Sequence, residues 1–226
     1  RLMCQFGVAA IMAWSAQNYI TSLGNIVGLG QVDLGLAGYF FTIVCVVGVI
    51  NAFNMIDGID GLAGGMSLVV LLFVVGLLLA NGNGGAIMEP LIIAAAIVPF
   101  LAFNLSWKGF KGNKIFMGDA GSMFVGLTIV WLLVDHAQGV EAAFRPITAV
   151  WLIGLPLMDM AAIMYRRARK GQSVLRPDRK HLHNIFMRAG LSSNQALVAI
   201  LFMGSLYCMI GVLGEVFMVP EWLMFF

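Results

Sequence analysis

Apolar runs about as long as a bilayer is thick alternate with short polar connections along the whole chain. The runs fall at roughly 2–19, 36–54, 62–80, 86–104, 120–135, 146–165 and 195–213, and another begins near 220. About 20 apolar residues in α-helix cross the hydrocarbon core of a membrane. The pattern predicts an all-α polytopic transmembrane helical bundle, with about seven complete spans plus a partial eighth. Residues 23–35 interrupt it with turn residues and a rough alternation, which predicts a short outer hairpin.

Composition and charge sharpen this picture. Of 226 residues, 61% are hydrophobic and only 11% charged, which excludes a soluble domain of this size. The net charge of +2 gives no support to nucleic-acid binding. The three cysteines lie in apolar runs and read as small packing residues. Alternating the connections puts 12 of the 13 Lys and Arg residues on one side of the membrane and leaves Arg145 on the other. The positive-inside rule makes the crowded side cytoplasmic. Asp57, Asp60, Asp119, Asp159 and Asp178 fall on or near that same side, so any chemistry is expected there.

Three polar stretches carry that expectation. Asn51–Gly65 reads NAFNMIDGIDGLAGG and places Asn51, Asn54, Asp57 and Asp60 at intervals of three at the end of a span. Such a spacing makes successive side chains neighbours on a helix. Carboxylates at a membrane boundary are costly and mark function by default. A polar loop with helix caps is the plain alternative; two Asp, two Asn and four Gly together argue for oxygen ligands around a cation or a bound substrate. The second stretch, KIFMGDAGS, sets Asp119 before an apolar run. A helix N-terminus favours phosphate, and a carboxylate beside it suits Mg²⁺, which shares its oxygen ligands with substrate phosphates; taken alone, Asp119 reads equally as an N-cap. The third, RRARKGQSVLRPDRKHLHN, combines a basic anchor with Pro177-Asp178-Arg179 and His181-x-His183. Anionic lipid explains the arginines next to the span but not the histidines, which lack the further ligands of a zinc site. They suit binding a diphosphate or orienting a substrate. Asn104, at a span end, reads equally as a cap or a ligand contact. Asp159 reads equally as a helix-packing ion pair or a catalytic group.

NAFNMIDGIDGLAGG, FMGDAGS and PDRKHLHN, in this order and at these spacings, resemble the polyprenyl-phosphate N-acetylhexosamine-1-phosphate transferases of glycosyltransferase family 4 over essentially the whole chain. The stretches VWLIGLPLMDMAAIMYRRARKG and IFMRAGLSS are similar to the WecA branch of Gram-negative bacteria. The resemblance implies a multi-pass enzyme of the bacterial inner membrane, active on the cytoplasmic side. It implies transfer of GlcNAc-1-phosphate from UDP-GlcNAc to undecaprenyl phosphate with Mg²⁺, or Mn²⁺ in its place. UMP and undecaprenyl-diphosphate-GlcNAc are then the products, in the first membrane step of O-antigen and enterobacterial common antigen synthesis. By the same resemblance Asp57, Asp60, Asp119 and His181 are catalytic, with Asp119 and Asp57 on the metal. Asn51, Asn54, Asn104, Arg167, Asp178, Arg179 and His183 bind substrate. Homodimerisation is compatible with it.

Two departures stand out. The family carries an adjacent Asp-Asp pair upstream, and this chain has none; with Arg1 at its start and Phe226 closing another apolar run, residues 1–226 read as one integral-membrane transferase domain cut at both ends. Asn184 replaces a histidine. The muramoyl-pentapeptide transferases of the same superfamily usually carry adjacent histidines where this chain has HLHN. They and other UDP-N-acetylhexosamine specificities are the nearest alternatives. A secondary transporter is a remote one, because the acids gather at one end rather than at the midplane.

Overall fold

The computed structural model describes residues 1–106, 114–171 and 181–226. In chain order its α-helices are α1 Leu2–Ala10, continued by a π turn Ile11–Ser15; α2 Ala37–Ile56; α3 Leu62–Ala80; α4 Met88–Asn104; α5 Gly118–Ala137; α6 Pro146–Leu152; α7 Gly154–Arg169; α8 Leu182–Arg188; α9 Ser193–Val216; and α10 Glu221–Phe225. Five helical stretches are long and apolar enough to cross a membrane: Ala37–Ile56, Leu62–Ala80, Gly84–Asn104, Gly118–Ala137 and Ser193–Val216. The bent pair α6 and α7 makes a sixth if it is one span.

Six of the seven expected full spans thus have a helical counterpart of spanning length when the bent pair is counted as one, and the expected partial eighth is the five-residue α10. The first run differs, since Leu2–Ser15 is shorter than a span. The run 146–165 is broken by a 74° bend between α6 and α7. Gly154 and Pro156 explain that break: proline has no N–H to continue α6, but it is tolerated in the first turn of the helix that follows. Gly154 also lets the Tyr207 ring approach, since a Cβ there would lie 3.0 Å from it. The outer hairpin is present as a loop closed by one antiparallel bridge, Ser22 to Asp33, without a strand among the described residues. Its rungs are Leu23 N–H to Val32 O (2.9 Å) and Leu34 N–H to Thr21 O (2.9 Å).

In lipid, where burial of apolar area separates no oil from water, helices associate through close packing and small residues. α2 and α5 follow this rule. Val46, Val49, Ile50 and Phe53 of α2 bury against Ile129, Val130 and Leu133 of α5 in one apolar core. Gly126 is the contact point: a Cβ there would sit 3.1 Å from both Ile50 Cα and Phe53 Cβ. This contact holds the C-terminus of α2 beside the N-terminus of α5. It places the two acidic motifs at one end of the bundle. At the opposite end Arg145 is fixed by Glu215 (Nε to Oε2, 3.1 Å) and by the carbonyls of Gly214 and Val219 (both 2.7 Å). Every described Lys or Arg other than Arg145 lies at the acidic end.

Candidate active site

α2 ends at Asp57, which leaves helical geometry with ψ at 58°. The chain then turns through Gly58 and Gly61 into α3. Gly61 has φ at 77°, a left-handed conformation that glycine adopts without the strain of a side chain. The turn is clamped by Asn104 at the end of α4: its Oδ1 accepts from Gly61 N–H (2.6 Å) and its Nδ2 donates to Ile115 O (2.8 Å). Asn104 is only 5% exposed. It ties the glycine turn to the segment leading into α5, so its observed work is to position the two motifs relative to one another.

Asp119 opens α5 and is largely exposed. Asn54 Nδ2 donates to Asp119 Oδ1 (3.1 Å) and to Ser122 Oγ (2.9 Å). Arg1 forks across the same pair, with Nη1 2.9 Å from Asp119 Oδ2 and Nη2 2.9 Å from Asn54 Oδ1. Asp60 pairs with Lys114 at 2.6 Å. Asn51 is turned away from Asp119: its amide donates to Gln5 Oε1 (2.9 Å) and Val47 O (2.7 Å). The spacing of three thus splits as the helix face drifts, with Asn51 serving α1 and Asn54 serving α5.

Asp57 carries the electrostatic tension of the site. Burial, then Asp119, then Asp60 push its carboxyl up from 3.8 to about 6. Burial disfavours the charged carboxylate, and the two neighbouring carboxylates add to that penalty. Among the described residues no group of three or more His, Cys, Asp or Glu converges as a metal cage. Mg²⁺ does not require one, because it is commonly held by one or two carboxylates while waters and substrate phosphates complete the octahedron. Asp57 and Asp119, both hard oxygen donors and near enough to interact, fit that form.

The histidines close the other side. His183 is buried and its ring lies against Gly58, where a Cβ would come within 2.0 Å of it. Asn184 Nδ2 meets His183 Nε2 at 2.9 Å, while His183 Nδ1 is buried with no hydrogen-bond partner. Burial, followed by neighbouring His181, pulls the His183 pKa down. His181 stacks parallel to His183 with ring centroids 5.7 Å apart. Arg167, near the end of α7, is 5% exposed. Asp178 and Arg179 lie outside the described residues. The structure therefore joins Asn54, Asp57, Asp119, Asp60, His181 and His183 around one helix end, and draws Asn51 and Asn104 into packing contacts at its edge. Sequence reasoning did not single out Arg1, Gln5, Lys114 or Ser122. Ser122 had a signal, since it is three residues after Asp119 and so on the same helix face.

Gly58 offers a direct test of this arrangement. Its φ lies outside the left-handed region, so Gly58→Ala is opposed first by the His183 ring, whose atoms are the three nearest to the added Cβ. We expect Gly58→Ala to reduce activity about tenfold by displacing that ring, an effect comparable with loss of an outer-shell contact. In a His183→Ala background the same change should have almost no further effect. Full additivity of the two substitutions would refute the contact.

Helices of membrane-crossing length that gather carboxylates, histidines and basic residues at one end define a polytopic membrane protein with a charged site at the bilayer surface. The model of glycosyl transferase family 4 matches residues 1–137, and the chain belongs to that family. It is 45% identical over 225 residues to the undecaprenyl-phosphate alpha-N-acetylglucosaminyl 1-phosphate transferase of Escherichia coli (strain K12), a match covering 99% of this chain and 61% of that protein. The proteins of the same name from Yersinia pestis and Haemophilus influenzae are each 44% identical, over 225 and 218 residues, covering 99% and 96% of this chain and 61% of each of them. The chain thus spans 61% of the length of these curated relatives.

Proposed function

We propose that the protein transfers GlcNAc-1-phosphate from UDP-GlcNAc to undecaprenyl phosphate, releasing UMP, at the cytoplasmic face of a bacterial inner membrane. The observation that carries this reading is the convergence of Asn54, Asp57 and Asp119 at the helix end that also holds His181 and His183. The names of the relatives supply the substrate class. The excess of basic residues at that end supports a cytoplasmic orientation.

Both substrates are anions at the reacting centre, so the site must first overcome their repulsion. Lys114, Arg1 and the basic end of α7 provide positive charge. Asp57 and Asp119 would hold Mg²⁺, whose contribution is to neutralise charge on the diphosphate oxygens. An ionised lipid phosphate is already a nucleophile, so positioning and charge neutralisation account for most of the catalysis. In this reading a lipid phosphate oxygen attacks the β-phosphorus of UDP-GlcNAc directly. The bond from that phosphorus to the bridging oxygen breaks, and the oxygen leaves with UMP, keeping the electron pair.

The test uses the full-length protein in lipid with undecaprenyl phosphate, Mg²⁺ and competing UDP-sugars. UMP and undecaprenyl-diphosphate-GlcNAc should form in step, with UDP-GlcNAc preferred. Preference for the muramoyl-pentapeptide donor would overturn the assignment, and a trapped phospho-aspartate would overturn direct attack.

A further inference from the structure

Asp159 lies in α7, beyond the 74° bend, and takes no part in the acidic group just described. Its side chain is 7% exposed, and both of its oxygens are used. Oδ1 accepts the backbone N–H of Leu182 at 2.9 Å, and Oδ2 lies 3.0 Å from His181 Nδ1. His181 is the residue at the N-terminus of α8, and its side chain is 12% exposed. One carboxylate therefore anchors both the backbone and the imidazole at the start of the histidine segment. A buried carboxylate with two donors is well satisfied, whereas one left alone would carry a large desolvation cost.

We infer that Asp159 is a positioning residue of the active site: it fixes the place, the ring orientation and the tautomer of His181, leaving Nε2 as the nitrogen free for substrate. The donors and acceptors decide the tautomer. Asp159 only accepts, so in neutral His181 the proton sits on Nδ1 and the lone pair on Nε2. Asp159 engages the Nδ1 edge of the ring, so Nε2 is the nitrogen that this contact leaves unengaged. The parallel stack on His183, whose ring rests on Gly58, holds His181 toward the Asp57 turn. The link runs from α7 through Asp159 to His181, then through His183 to the acidic motif. It joins the broken helix to the carboxylate side of the site. That His181 serves catalysis rests on the function proposed above; the tautomer and the anchoring do not.

Asp159→Asn separates positioning from mere packing. The Leu182 N–H can only donate, so the oxygen of the introduced amide must face it. The NH₂ then faces His181 Nδ1, which must become an acceptor, and the proton moves to Nε2. The exchange keeps the shape and the α8 contact but inverts the tautomer. A ¹⁵N-histidine NMR spectrum of the full-length protein in lipid, with His181 assigned by its loss in His181→Asn, should show the Nδ1–H form in the native protein and the Nε2–H form in Asp159→Asn. Turnover in Asp159→Asn should fall about 10- to 100-fold with KM for either substrate changed less than about threefold, as for loss of a group that orients a reacting one. Asp159→Glu, which keeps the carboxylate, should recover part of that loss.

An Nε2–H form in the native protein, or wild-type turnover in Asp159→Asn, would overturn the inference. If the native tautomer is as stated and no lipid product forms from any UDP-sugar, the proposed function fails while the positioning role stands.

Discussion

Asp119→Asn should lower turnover about 1,000-fold while leaving expression, membrane insertion and thermal stability close to those of the native protein. The magnitude follows from the proposed role: removing a carboxylate that would hold Mg²⁺ against the reacting phosphates takes away charge stabilisation worth about two to three orders of magnitude. The stability expectation follows from exposure. Asp119 and Arg1 form a solvent-exposed pair, with side chains 69% and 56% accessible. Such pairs contribute at most about 1 kcal/mol. Asn also keeps the shape of the side chain and an oxygen able to accept from Asn54, so the local packing persists. Steady-state release of UMP, measured beside a thermal unfolding curve, checks both halves. Near-normal turnover with intact folding would remove Asp119 from the metal site and, with it, the main reason for placing the diphosphate there.

Asp57→Asn should behave differently, with loss of activity and a gain in stability. The carboxyl of Asp57 is pushed from 3.8 to about 6 by burial, Asp119 and Asp60. The native state therefore holds this proton more tightly than the unfolded chain does. The resulting stabilisation is full below about 3.8 and is lost as pH rises through about 6. At neutral pH the charged Asp57 is a cost that the fold tolerates, and a bound cation would relieve it. Asp57→Asn removes the charge. In divalent-free buffer near neutral pH it should raise stability, by on the order of 1 kcal/mol after discounting for solvent screening of a partly exposed group. Well below pH 4 that gain should vanish. Turnover should fall about 100-fold or more, because a neutral amide is a poor Mg²⁺ ligand. In the native protein the Asp57 proton competes with the cation below about 6, so activity at limiting Mg²⁺ should decline as pH drops through about 6 and recover as Mg²⁺ is raised. Paired unfolding curves with and without Mg²⁺ read the effect, and Mg²⁺ should stabilise the native protein more than Asp57→Asn. Unchanged turnover, or a variant less stable than the native protein at neutral pH, would contradict the account. The pattern expected here is that of a functional site kept at the expense of stability.

Much of this was legible in the chain itself, for identifiable reasons. Five of the predicted spans correspond to long helices, because a bilayer demands about 20 apolar residues and nothing in tertiary packing can relax that demand. Asp57 and Asp119 stood out because charge is rare at a membrane boundary. The break in the run 146–165 was only half visible. Gly154 and Pro156 are in plain sight, but a proline near a helix end is compatible with a kink or a new start, and the packing of Tyr207 on Gly154 helps choose. Asn51 and Asn54 looked equivalent in the sequence. They are not, because Gln5 of α1 approaches one and Asp119 of α5 the other. Asp159 was ambiguous for the same reason: its partners, His181 and Leu182, are more than twenty residues away.

The sequence by itself determined the all-helical membrane character, the sidedness of charge and the residue types able to hold a cation and a diphosphate. Each depends on local composition against a fixed external length, the thickness of the bilayer. Only the tertiary structure decided which of those residues meet. Contacts such as Asn54 with Asp119, Gly58 with His183 and Asp159 with His181 depend on how α2, α5 and the bent α7 cross. Crossing geometry is set by packing at single points such as Gly126, which no periodicity along one helix encodes.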